Sequence, residues 1–110
     1  MEIQKRIEGD LLRVAVKGRL DAVTAPQFDK NLAAAVGQGE KEVLFDFSGL
    51  EYISSAGLRS LLVLSKRLKT FPTELLFSGL KEPVKEVFRI SGFFSIFKII
   101  DSPPAASDRT

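Results

Sequence analysis

The 110-residue chain contains no cysteine and no histidine. Without cysteine there is no disulfide framework and no thiol chemistry. Without histidine, Ser-His-Asp and Cys-His catalysis are excluded, and with both absent so are structural zinc sites and the usual general base near neutral pH. No Gly-x-x-x-x-Gly-Lys loop is present to cradle a nucleotide, and no lysine stands at Ser-x-x-Lys spacing from Ser55, so neither kinase nor serine-nucleophile chemistry has its partners. No apolar run approaches the ~20 residues that cross a bilayer. No charged-then-apolar leader precedes the first apolar segment, so the expectation is a cytoplasmic protein without membrane insertion. Charge of one sign is also scarce: 16 Lys and Arg face 14 Asp and Glu, a formal net charge of +2. The one short basic cluster, Lys66, Arg67 and Lys69, falls at a predicted helix C-terminus, where cations suit the helix dipole, so direct nucleic-acid binding is not expected.

What is present reads as one globular domain, with 45% hydrophobic and 27% charged residues. Ile3 and Ile7 suggest a first strand, Gly9-Asp10 a turn, and Leu12, Val14 and Val16 the period-two pattern of a half-buried second strand, together a hairpin. Thr24 is a predicted N-cap with Pro26 in the first turn, followed by an apolar face of Ala25, Phe28, Leu32, Ala35 and Val36 that Gly37-Gln38-Gly39 stops. Val43 to Phe47 reads as a central strand covered on both faces, and after Ser48 and Gly49 the chain is expected to turn through Leu50, Glu51, Tyr52 and Ile53. From Leu58, apolar residues at Leu61, Leu62 and Leu68 predict a second helix, with Ser54 or Ser55 as its N-cap. Glu74 to Ser78, with Leu75, Leu76 and Phe77, reads as another buried strand, Val84, Val87 and Phe88 as a short helix after Pro83, and Phe93 to Ile100 as a turn into a last strand. The alternation predicts an α/β fold, a mixed sheet of about five strands with helices packed on it and right-handed parallel crossovers. Residues 1–100 form the expected domain and 101–110, DSPPAASDRT, an expected mobile tail.

The stretch Asp46 to Leu64, DFSGLEYISSAGLRSLLVL, carries the functional expectation. A hydroxyl at the start of a helix meets unpaired backbone N–H groups and about +0.5 of a charge, so it can cap the helix or accept a phosphoryl group whose added charge those donors tolerate. Asp46-Phe47-Ser48 followed by Tyr52-Ile53 and Ser54-Ser55-Ala56-Gly57-Leu58 resembles the signature of the STAS domain of bacterial anti-sigma factor antagonists. Gly18-Arg19-Leu20-Asp21 with Thr24 resembles that family's other marker, in the expected order. The resemblance spans roughly Met1 to Ile100. It implies the same α/β architecture, no cofactor, and a serine-kinase anti-sigma factor and a phosphoserine phosphatase as partners. It maps phosphorylation onto Ser55, and Asp21, Thr24, Ser54, Ser55, Leu58 and Arg59 onto the partner-binding surface. Two positions depart from the family pattern: Ser54 stands where an aspartate is usual, and Arg59 where a second glycine is common. The first departure keeps a second reading in view, a non-phosphorylated STAS module acting as a ligand sensor or as the soluble subunit of a lipid-transport complex.

Overall fold

The computed structural model describes residues 1–37 and 39–100. Leu11, Leu12, Val14 and Val16 are buried while Lys17 is exposed, because the second strand alternates between a covered and a more open face. Strand β1 (Glu2–Glu8) pairs antiparallel with β2 (Leu11–Leu20) across the Gly9-Asp10 turn. Helix α1 (Ala25–Ala35), β3 (Glu42–Ile53), α2 (Ser55–Leu68), β4 (Glu74–Ser78), α3 (Glu82–Ile90), a 3-10 turn (Phe93–Ser95) and β5 (Lys98–Ile100) follow. The five strands stand in the order β1-β2-β3-β4-β5, and β2 to β5 are mutually parallel. This is the mixed five-strand α/β sheet expected from the pattern.

Strand order follows chain order, so each crossover steps across the sheet in the same direction and a single hand of crossover lays all three helices on one face. The core agrees: Phe28 and Leu32 of α1, Leu61 and Leu68 of α2, and Val84 and Phe88 of α3 pack in one cluster with Val14, Val16, Phe45, Phe47 and Phe77 of the sheet. Ring centroids lie 5.4 Å apart for Phe45 and Phe77, and 5.0 Å for Phe77 and Phe97, distances at which aromatic pairs attract beyond their simple burial. The opposite face carries a smaller cluster, Leu11, Leu44 and Leu76, with Ile100 against it.

One expectation is corrected. The chain does not turn through Leu50 to Ile53 after Ser48 and Gly49, because β3 continues to Ile53 and keeps pairing with β2. Between the partners Ala15↔Asp46 and Lys17↔Gly49 the strand takes an extra residue, a bulge that the Asp46 carboxylate fastens by accepting the Ser48 N–H at 3.0 Å. Gly49 is needed for closeness rather than reversal, since a Cβ there would lie 2.6 Å from Lys17 Cγ. The expected stop at Gly37-Gln38-Gly39 includes Gln38, and the expected tail is 101–110; both lie outside the described residues.

Candidate functional site

The last paired residues of β2 and β3, Leu20 and Ile53, lie side by side, so the loops that follow these two parallel strands emerge together at one end of the sheet. The Ser54 N–H donates to the Leu20 carbonyl at 3.0 Å, which holds the start of α2 against the end of β2. That contact explains the run of small residues. At Gly57 a Cβ would meet the Leu20 carbonyl oxygen at 2.7 Å and Ile53 Cγ1 at 2.8 Å, so the first turn of α2 can approach β2 only without a side chain there.

Ser54 is the N-cap of α2, and its hydroxyl accepts the Gly57 N–H at 3.4 Å. Ser55 is therefore the first helical residue, in keeping with the expected cap at Ser54 or Ser55, and it is exposed. Its hydroxyl has no hydrogen-bond partner among the described residues. The N–H groups of Ser55 and Ala56 have no acceptor within the helix at that position, and the first turn of α2 contains no acidic residue. An anion on Ser55 would thus meet free donors and the positive end of the helix.

The neighbouring loop is knitted to itself. The Asp21 carboxylate accepts the Val23 N–H at 3.0 Å and the Thr24 N–H at 3.2 Å, and pairs with Arg19 Nε at 3.5 Å. The Thr24 N–H bond is the main influence holding the Asp21 carboxyl below its ordinary value of 3.8; partial burial opposes it, and the Val23 N–H, the Thr24 hydroxyl and Arg19 add to it. The Thr24 hydroxyl donates to the Arg19 carbonyl at 2.8 Å and accepts the Asp21 N–H at 2.9 Å. Thr24 occupies the N-cap position of α1 as expected, yet its side chain makes no cap bond, because these two loop bonds already engage it. The Arg19 guanidinium also stacks over the Tyr52 ring at 4.2 Å, tying the loop to the end of β3.

Of the predicted contact residues, Ser54, Ser55 and Arg59 stand together at the start of α2, with Asp21 and Thr24 in the adjoining loop, half-buried and internally bonded. Leu58 does not join them. It is 9% exposed and faces the core, because it follows Gly57 on the side of α2 that lies against the sheet. Two residues that pattern reasoning missed are Val23 and Val63, 87% and 62% exposed. Val23 sits in the β2–α1 turn and Val63 lines a hollow of about 270 Å³ between α1 and α2, with Ala22, Pro26, Asp29, Ala56 and Arg59. Both were legible as apolar residues off the core phase of their segments, a weak signal for isolated valines. Among the described residues no group of three or more side chains could hold a metal ion, and no helix is long and apolar enough to cross a membrane.

The STAS domain family profile matches residues 2–106 of the chain. The chain belongs to the STAS family. A Bordetella bronchiseptica relative, BtrV, named as an anti-sigma factor antagonist, is 43% identical over 102 residues, covering 93% of this chain and 87% of that protein. Among solved structures, the anti-sigma factor antagonist SpoIIAA in its unphosphorylated form superposes with a TM-score of 0.79 at 19% identity, covering 93% of this chain and 89% of its own. The Bacillus cell fate determinant SpoIIAA in its phosphorylated form does so with a TM-score of 0.74 at 20% identity, covering 98% of each chain. At that identity these two show a shared fold.

Proposed function

We propose that this STAS domain is an anti-sigma factor antagonist, a cytoplasmic binding module that sequesters a serine-kinase anti-sigma factor while Ser55 is unphosphorylated. The observation that carries the reading is the placement of Ser55: exposed, with a free hydroxyl, at the first position of α2 and beside the β2–α1 loop. In the switch, the γ-phosphoryl group of ATP moves to Ser55 Oγ, its bond to ADP breaks, and the hydroxyl proton passes to a base of the kinase. A phosphoserine phosphatase restores the hydroxyl by hydrolysis of that ester. A dianion in a closely packed interface must be desolvated and repels nearby carboxylates, whereas in the free domain the helix N-terminus accepts it. The contact surface of this reading is Ser54, Ser55 and Arg59 with the exposed Val23, and Asp21 and Thr24 shape the loop that presents it.

The test is to mix the protein with its partner kinase and ATP and to locate phosphate by mass spectrometry. Phosphate on Ser55, together with a Ser55→Ala variant that stays bound to the kinase in the presence of ATP, is the expected result. Modification at another residue, or none, would count against the switch. Ser54 in place of an aspartate favours a second reading, in which Ser54 and Ser55 serve the helix start alone and the module senses a ligand or joins a lipid-transport complex. Co-purification with transporter subunits and no kinase would support that reading instead.

A further inference from the structure

Arg59 lies four residues after Ser55, in the second turn of α2, and both side chains are exposed. Residues at this spacing are neighbours on a helix surface, with the earlier one nearer the N-terminus. Arg59 has no ion-pair or hydrogen-bond partner among the described residues, although it shares a hollow with Asp29 of α1. The first turn of α2 has no acidic residue, whereas its last turn carries Lys66 and Arg67, where cations suit the dipole. An anion on Ser55 with a cation on Arg59 is the favourable order for a pair at this spacing.

We propose that Arg59 is the counter-charge of phosphoserine 55, so that the phosphorylated domain is held in its free form by a pair made within its own helix. This rests on the assignment of Ser55 as the phosphorylated residue and adds to it the residue that reads the modification. The guanidinium presents several N–H donors in a plane, a geometry that suits phosphate oxygens. The phosphate is met from the other side by the free N–H groups of Ser55 and Ala56, so donors from backbone and side chain share its charge. The consequence for the switch follows from linkage: any interaction that stabilises the phosphoserine in the free domain, and is disrupted when a partner covers that surface, strengthens release by the same factor. Arg59 is thus a positioning residue for the modified state.

The test uses the full chain with phosphoserine installed at position 55 during translation, which removes any dependence on the kinase. The titration of the phosphate is followed by phosphorus NMR in the otherwise unaltered protein and in Arg59→Gln and Arg59→Lys. The pairing predicts a second phosphate pKa about 0.15–0.4 units lower with Arg59 than with Gln. Lysine should restore part of the shift, and ~1 M salt should shrink the difference. Phosphorylation should also raise the thermal midpoint more in the Arg59 protein than in Arg59→Gln. Identical titration curves for the three proteins would overturn the proposal, even if the kinase modifies Ser55 and the partner is released. Conversely, a titration difference in a protein that the kinase never modifies at Ser55 would uphold the pairing and sink the switch.

Discussion

At the residue scale, Gly57 and Asp21 do different work on the two sides of one contact. Gly57 is the position where α2 touches the Leu20 carbonyl, and the added methyl of Gly57→Ala has backbone at 2.7 Å rather than a yielding side chain. The variant should lose about 1–3 kcal/mol of stability in urea unfolding, as overpacking usually costs, despite the better helix propensity of alanine. A neutral or stabilising outcome would mean that α2 can shift without penalty. Asp21 holds the adjoining loop as an anion, and its folded pKa lies below the ordinary value of 3.8. A carboxyl depressed in the folded state contributes stability above its unfolded pKa and loses it as the pH falls through the folded value. Asp21→Asn should therefore be less stable than the parent at neutral pH, with the gap closing below about pH 4. Unfolding midpoints measured from pH 7 to pH 2 check the sign; a gap that widened on acidification would contradict the carboxylate's role.

At the scale of the element, the start of α2 shows what pattern reasoning can and cannot reach. The small polar run Ser54 to Gly57 marked the helix entrance, and one of its two candidate caps is the cap. The periodicity of leucines begins only at Leu58, because the three small residues ahead of it carry no apolar signal, so the cap residues and not the leucines mark the helix start. It also left Leu58 on both sides of the account, as a core position and as a contact, and only packing separates the two. The Ser48-Gly49 pair misled for a related reason: serine and glycine signal a turn locally, while the requirement that excludes a Cβ comes from Lys17 on a strand distant in sequence. The N-cap allows a direct test of the departure from aspartate. Ser54→Ala should cost about 1 kcal/mol, while Ser54→Asp keeps an acceptor for the Gly57 N–H and adds charge near the helix N-terminus, for a gain of about 0.3–1 kcal/mol. Thermal midpoints of both variants check the ordering, and Ser54→Asp below Ser54→Ala would remove the capping role.

For the molecule as a whole, the core was the most legible part, because alternation in β2 and the apolar run in β3 report burial directly. The phenylalanines of β3, β4, α3 and the segment after it meet in one cluster: Phe77 contacts Phe45, Phe88 and Phe97 at centroid distances of 5.4, 5.6 and 5.0 Å. Phe77→Ala should lose about 3–5 kcal/mol, a large share of the roughly 5–15 kcal/mol that holds such a domain folded, and circular dichroism on urea titration would show it as a lower midpoint. The proposed switch surface draws on none of these rings, so a protein phosphorylated at Ser55 should keep the circular dichroism spectrum of the unmodified one while its binding changes. The surface itself was legible only in part, since the exposure of Val23 and the internal bonding of Thr24 depend on how two loops far apart in the chain come to share one end of the sheet. The dissociation constant for the proposed partner kinase, measured for the protein carrying serine and then phosphoserine at position 55, bears on the account most directly. A weakening of about 100-fold or more is predicted, the scale expected when an unpaired charge is forced into an interface; equal affinity in the two states would contradict it.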